Sequence, residues 1–340
     1  MPITIRDIAG NLNLSIAAVS RALDGYPDIS KETRQRVITA AREMGYVPNR
    51  AARQLRRQKS DAIGYILSSD TPRFASPFFS EFLSGLGDET ALHPFDLLVS
   101  IAPPGAEAEQ AIYRTWVQSR KVDGFILDQV RTQDWRIRFL TEQTIPFVGL
   151  EHSKDGIDYP RVEVDNTASM AGLVAHLAES GFKRIAFIGG PGQLVTSDER
   201  LAGYRQGLAD RHMAYDPDLV QVSDLTSAGA YEVAKRLRWL PDPPDAIMCV
   251  NDETAFGAIH ALHDLGLLVG KDVAVTGFNG VTTSAHSDPP LTTLDIPVYE
   301  VARKLVTMLA ADLEHKPLPE RRIVFTPGLL KRRSTGDSPS

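Results

Sequence analysis

Five polar side chains stand where a small molecule could be held. Asp128, Glu151, Asn251 and Asn279 each lie at or just past the end of a short apolar run, where a buried strand would stop. Arg200 opens a helical pattern after the glycine-rich stretch Gly189-Gly-Pro-Gly192. Carboxylates accept hydrogen bonds from hydroxyls, a guanidinium donates through a fixed fork, and an amide does both. Ser68 and Ser69 follow the first apolar run, and Phe74, Phe78 and Phe79 supply aromatic faces that can stack on the C–H surface of a sugar ring. The set suits a neutral, polyhydroxylated ligand that is bound and not transformed.

Catalysis finds no support in the spacing. A dinucleotide-binding turn needs Gly-x-Gly-x-x-Gly after the first strand, and the chain has Ser68-Ser-Asp-Thr-Pro72 there. The nucleophile elbow Gly-x-Ser-x-Gly does not occur. His260 and His263 lie three apart with no third Cys or acidic ligand at a recognisable spacing, so no metal is expected, nor any other cofactor. Cys249, the only cysteine, sits in Ala246-Ile-Met-Cys-Val250 and reads as a buried small hydrophobe, not a nucleophile. A single cysteine excludes an internal disulfide and fits a reducing cytoplasm. No run approaches the length of a membrane span, and Met1-Pro-Ile-Thr-Ile-Arg-Asp7 has no apolar signal core, so a cytoplasmic location is expected.

A second kind of chemistry is concentrated at the N-terminus. The first 60 residues hold eleven Lys and Arg against five Asp and Glu, a net of +6, on a chain whose total is −6, so the remainder carries −12. A small cationic module on a large anionic body suits a polyanion partner. Thr4 and Asp7 have the spacing of a capping box, and Ile5, Ile8, Ala9 and Leu12 recur at helical intervals. Asn13 stands where a tight turn needs a left-handed residue. Ser15 can cap a second helix over residues 16–23, with Val19 and Leu23 inward and Ile16, Ala17, Ser20 and Arg21 outward. A third helix starts at Ser30 and stops at Gly45. Two short helices joined by a three-residue turn suit the major groove of duplex DNA, where Arg can bind guanine through two hydrogen bonds.

From residue 62 onward, apolar runs alternate with amphipathic segments. Strands are expected at 63–67, 96–100, 124–127, 147–150, 162–164, 185–189, 246–250 and 273–277. Helices are expected at 79–92, 167–180, 199–209, 228–237 and 254–265. Such alternation predicts an α/β body of parallel, doubly wound sheets, which bind ligands at the carboxyl ends of their strands. Its two lobes divide near Tyr159-Pro160. Between head and body, residues 49–60 are helix-capable, with Arg53, Arg56 and Arg57 around Leu55, but carry too few apolar residues to fold alone.

The head resembles that of the lac/galactose repressor family through Thr4-Ile-Arg-Asp-Ile-Ala9, Val19-Ser-Arg-Ala-Leu23, residues 30–34 and Gly45-Tyr-Val-Pro-Asn-Arg-Ala-Ala52. The body resembles the family's periplasmic-binding-protein-like domain through Ser76-Pro-Phe-Phe79, Val122-Asp-Gly124, Val164-Asp-Asn166, Arg200-Leu-Ala-Gly-Tyr204, Val250-Asn-Asp252, Thr276-Gly-Phe278 and Pro289-Pro-Leu-Thr-Thr293. The resemblance implies that Thr4, Ser15, Ile16, Ala17, Ser20, Arg21 and Ser30 lie on an operator. It implies a hinge helix carrying Asn49 and Ala52, with Leu55 wedged into the minor groove. Asp128, Glu151, Arg200, Asn251 and Asn279 would contact an effector, with Ser69, Phe74, Phe78 and Leu225 beside them. Asn279 replaces the family's usual Asp, and Leu225 occupies a place where sugar-binding relatives often carry an aromatic.

The domain organisation expected is therefore a helix-turn-helix head at 1–48, a hinge at 49–60, an effector-binding and dimerisation body at 61–335 and a tail at 336–340. Lobe 1 would take about 61–160 and 293–328, and lobe 2 about 161–290. The function expected is a homodimeric transcriptional regulator, a repressor on a near-palindromic operator, controlled by a small carbohydrate effector. The alternatives are a sugar-binding receptor and a sensor of a nucleobase-type effector.

Overall fold

The computed structural model of the chain describes residues 3–46, 59–68, 76–318 and 320–336. Asn49, Ala52 and Leu55 of the expected hinge, and Ser69 and Phe74 of the expected ligand site, lie outside the described residues. The chain divides into two compact units, Met1–Ser60 and Asp61–Ser340.

In the first unit, helices α1 (Ile5–Leu12), α2 (Ile16–Leu23) and α3 (Lys31–Glu43) pack around Ile8, Val19, Ala22, Val37 and Ala41. Each helix starts on a hydroxyl residue, and those of Ser15 and Ser30 meet N–H groups that a helix end leaves unpaired. The backbone N–H and hydroxyl of Thr4 both donate to Asp7 Oδ2, at 2.8 and 2.7 Å. The Ser15 and Ser30 hydroxyls accept from the backbone N–H of Ala18 and Thr33, at 3.0 and 3.1 Å. Asn13 closes α1 in the left-handed region, with φ 53°. Arg34 Nη2 donates to the carbonyls of Gly25 and Tyr26, at 3.1 and 2.7 Å, so this cation fixes the loop between α2 and α3.

The second unit holds two six-stranded sheets. The first is built from β1 (Ala62–Ser68), β2 (Asp96–Ala102), β3 (Gly124–Leu127), β4 (Phe147–Leu150), β5 (Arg161–Val164) and β11 (Arg322–Phe325), in the order β11-β5-β4-β3-β1-β2. The second contains β6 (Ile185–Gly189), β7 (Val220–Val222), β8 (Ala246–Cys249), β9 (Ala274–Asn279), β10 (Thr292–Asp295) and β12 (Gly328–Leu330), in the order β12-β10-β9-β8-β6-β7. The same winding is used twice, a repeat that residue identities do not betray. Among the described strands, only β12 runs antiparallel to its neighbour. Helices α4 (Pro77–Thr90), α5 (Ala106–Gln118), α6 (Trp135–Glu142) and α11 (Val298–Leu313) accompany the first sheet. Helices α7 (Asn166–Glu179), α8 (Val195–Asp210), α9 (Ser227–Arg238) and α10 (Asp252–Asp264) accompany the second.

The lobe boundaries differ from those read in the sequence. Residues 161–164 belong to the first sheet, because Pro160 does not end the pairing: its carbonyl accepts from Gly149 N at 3.1 Å, and β5 continues between β4 and β11. Residues 292–295 stay in the second sheet beside β9. The chain therefore crosses between lobes near residues 165, 296 and 326. Helix α8 starts at Val195, not near 199, so Arg200 lies in its second turn. Its N-cap, Leu194, makes no side-chain hydrogen bond, so no polar residue announces the true start.

Candidate functional site

The expected ligand residues of the body that are described meet in one cleft between the two lobes. It contains about 1170 Å3 not filled by protein atoms, the open solvent at its mouth included. Phe78, Asp128, Glu151, Arg200, Leu225, Asn251 and Asn279 all line it. They converge because the parallel strands β3, β4, β8 and β9 end on this side, each delivering the residue at or just after its carboxyl end.

Arg200 is the cleft's central donor. Gly203, one turn along α8, lets that helix approach α7 closely: a Cβ there would lie 2.3 Å from Thr167 O. The approach brings Arg200 Nε to 2.9 Å from Asn166 Oδ1, while Nη1 donates to Val250 O. The guanidinium stacks 3.6 Å over the Phe278 ring. Nη2 has no partner among the described residues and is left for a ligand. Burial pulls the guanidinium down to about 10, against the opposing pull of Glu151 and Glu199, so it stays cationic at neutral pH.

Asn166 gathers the acids around this donor. It is 1% exposed, and its Nδ2 donates to Glu151 Oε1 at 3.2 Å and to Glu199 Oε2 at 2.9 Å. Burial, reinforced by Glu199, pushes Glu151 up to about 8, with Arg200 and the hydrogen bond from Asn166 opposing. Glu151 is thus protonated at neutral pH and offers an O–H donor as well as an acceptor. Glu199 is raised for the same leading reason, burial. On the other wall, Tyr65 Oη donates to Asp128 Oδ2 at 2.9 Å, and Phe78 stacks on Phe82 at 6.1 Å.

The two amides differ in what they have to spare. Asn251 is the N-cap of α10, and its Oδ1 accepts from Thr254 N at 2.8 Å, which leaves Nδ2 for a ligand. The Asn279 amide makes no hydrogen bond among the described residues, and its backbone is held at φ 116°. Asp252 holds the following loop, accepting from Val281 N at 2.8 Å and from Thr293 Oγ1. Only glycine at 277 leaves room for that carboxylate, since a Cβ there would lie 2.1 Å from Asp252 Oδ1. Gln129, Glu151 and Leu225 also line the cleft with positive φ, at 42°, 83° and 67°. Strained backbone of this kind gathers at ligand sites.

Sequence reasoning passed over Asn166, Glu199, Glu253 and Tyr65 as site residues. Asn166 stood inside a quoted motif, and Glu199 adjoins Arg200. Glu253, half-buried on the first turn of α10, lines the cleft with its carboxyl raised by burial. A search one turn into each helix after a strand end would have found it.

On the head, Ile16, Ala17 and Arg21 are exposed on α2, with Ile16 44% exposed. Ser20 is a correction. Only 6% exposed, it donates to Asp24 Oδ2 at 3.5 Å and lies on the arc that also buries Val19 and Ala22, so it does not face outward. Arg21 pairs with Asp28 and lies 5.3 Å over the Tyr26 ring, both in the loop between α2 and α3.

Residues 4–49 match the family described as "Bacterial regulatory proteins, lacI family", and residues 174–335 match "Periplasmic binding protein-like domain". The chain is 34% identical to the HTH-type transcriptional regulator AglR of Rhizobium meliloti (strain 1021), over 100% of this chain and 96% of AglR. The solved complex of the transcriptional regulator CelR with cellobiose is 27% identical, with a TM-score of 0.74 over 98% of this chain and 99% of CelR. The lac repressor dimer bound to operator and the anti-inducer ONPF is 25% identical, with a TM-score of 0.83 over 99% of this chain and 100% of the repressor. Among the described residues, no helix is long and apolar enough to cross a membrane. A helix-turn-helix head, a body of two parallel sheets and an end-to-end relative one-third identical make this chain a member of the lacI family of transcriptional regulators, a DNA-binding protein and not an enzyme.

Proposed function

We propose that the protein is a homodimeric repressor whose hold on a near-palindromic operator is set by a neutral sugar or glycoside of about disaccharide size in the cleft. The observation that carries the effector class is the cleft's donor and acceptor set. One buried guanidinium, stacked on Phe278, faces amides and carboxyls, of which Glu151 is uncharged at neutral pH. Hydroxyls can satisfy all of these groups, whereas an anion would find, among the described lining residues, a single cation beside several acids. The cellobiose bound to CelR, a protein of similar fold, supports the same class.

In this reading Thr4, Ser15, Ile16, Ala17, Arg21 and Ser30 face the operator. Helix N-termini carrying Thr4, Ser15 and Ser30 meet phosphates, and Arg21 reads a base edge. In the same reading Asn49, Ala52 and Leu55, which lie outside the described residues, contact the minor groove. Edge strand β2 exposes Val99 and Ile101, 41% and 49% accessible, as an apolar row that a second copy would cover.

The deciding experiment pairs DNA binding with ligand titration. The full chain should bind its own promoter DNA with an affinity that falls steeply as salt rises, because phosphate contacts release counterions. The body alone, residues 61–340, should stay folded and lose that binding. Calorimetry with a panel of glycosides, a nucleobase and a polyamine should give heat only with a glycoside. Binding by the nucleobase alone would overturn the carbohydrate assignment. Arg21→Ala should lose roughly 1–3 kcal/mol of discrimination at one base pair per half-site, measured by competition between operator variants.

A further inference from the structure

The two recognition segments of the cleft belong to different lobes, yet their backbones are also joined directly, by a contact separate from the crossovers near residues 165, 296 and 326. Arg131, three residues after Asp128, forms an antiparallel bridge with Leu194, at the start of α8. Thr132 N donates to Gln193 O at 2.9 Å, and Val195 N donates to Val130 O at 3.0 Å. Val195 comes from the second lobe but is 1% exposed inside an apolar cluster of the first, with Ile66, Leu127 and Val130. Lys154 supports the join twice: its N–H donates to Thr132 O at 2.9 Å, and Nζ lies 3.0 Å from Asp198 on α8.

The first lobe's half of this bridge is held rigidly from behind. Arg136, 2% exposed, donates through Nη2 to the carbonyls of Asp128 and Gln129, at 3.0 and 3.1 Å. Asp134 fixes that guanidinium at 2.7 Å and also accepts from Arg131 N at 3.0 Å. Arg131 Nη2 donates to the buried Glu109 at 2.8 Å. None of Glu109, Arg131, Asp134 and Arg136 lines the cleft. Their hydrogen bonds end on the short segment that presents Asp128 and then pairs with the other lobe.

We propose that the Arg131–Leu194 bridge is a latch that sets the separation of the Asp128–Gln129 and Thr196–Arg200 segments across the cleft and holds the lobes closed before any effector is bound. The hinge crossovers leave the lobes free to swing, and a hinge alone does not define the distance between opposite walls. Two backbone hydrogen bonds and one buried valine that join the walls do define it. Arg131, Asp134 and Arg136 are then positioning residues, acting on the ligand through the segment they hold. The inference rests on the cleft being the effector site, but its test needs no ligand, so its failure would leave the effector reading standing.

The geometry supplies a direct test. Two hydrogen bonds that flank a residue pair without joining it place the facing Cα atoms about 4.5 Å apart, within reach of a disulfide. The one native cysteine, Cys249, is buried, and burial raises its thiol, so it will not compete. In the ligand-free full chain, the double substitution Arg131→Cys with Leu194→Cys should form an intramolecular disulfide in most molecules under mild oxidation. A bracing role confined to the first lobe would leave both thiols free, and free thiols in a folded chain overturn the latch. If the pair impairs folding, hydrogen exchange of the unaltered chain decides. The Thr132 amide should exchange at least about a hundredfold more slowly than an unprotected one. Unprotected exchange at Thr132 sinks the proposal.

Discussion

Arg200→Ala is expected to weaken effector binding by two orders of magnitude or more and to leave the operator complex unresponsive to ligand. The expectation follows from what the guanidinium does on each side. Toward the ligand it offers the only cationic fork among the described residues that line the cleft, and hydrogen bonds to a charged group are worth about 1.5–3 kcal/mol each. Losing one or two of them reaches about a hundredfold once the displaced water is poorly matched. Toward the protein it satisfies Asn166 Oδ1 and Val250 O, both of which the alanine strands in a buried place. Each orphaned acceptor costs about 1–3 kcal/mol, so the body should also melt earlier. Arg200→Lys separates the two effects. It keeps the charge but lacks the planar fork and the fit over Phe278, so it should recover part of the stability and little of the affinity. Calorimetric titration of the three proteins with the bound glycoside, beside their melting temperatures, reads both quantities. Unchanged affinity in Arg200→Ala would remove this residue from the site.

Much of this arrangement was legible because strand ends announce themselves. Asp128, Glu151, Asn251 and Asn279 each sit where an apolar run stops, and parallel sheets direct such positions to one edge. The motif Arg200-Leu-Ala-Gly-Tyr204 makes equal physical sense in three dimensions. Arg200 enters the cleft, Gly203 admits the neighbouring helix, and Tyr204 donates to Ile185 O at 2.8 Å to seat α8 on its sheet. What could not be read was anything that depends on which lobe a segment joins. Strand β5 looks like the start of a new unit because Pro160 precedes it, yet it is paired on both sides in the first sheet. Strands β11 and β12 are short, alternate weakly and were invisible to periodicity. Ser20 was misplaced for a local reason. A helix of eight residues buries a wide arc in a small head, and a polar residue can lie inside it when Asp24 is near.

Glu151 should draw the stability of the chain down as pH rises from about 4.5 to about 8, and Glu151→Gln should remove that contribution. Burial holds Glu151 at about 8 in the folded protein, against an ordinary value of 4.5. Within that window the folded state keeps a proton that the unfolded state has released. Stability therefore declines with pH, by up to about 1.4 kcal/mol per unit for one group. The contribution is fully present below 4.5, is lost as pH rises through 8, and changes no further above it. Glu199, raised in the same direction, and Asp252, raised to about 6, add slopes of the same sign. Both remain in the Glu151→Gln protein, so the difference between the two proteins reads Glu151 together with its coupling to Glu199. Denaturant unfolding at pH 5, 6, 7, 8 and 9 should show the glutamine variant gaining on the wild type up to about pH 8 and then running parallel to it. Curves that stay parallel across the whole range would mean that Glu151 is ionised at neutral pH. The cleft would then present one donor fewer and one charge more, and a neutral carbohydrate would be a poorer match to it than a cation.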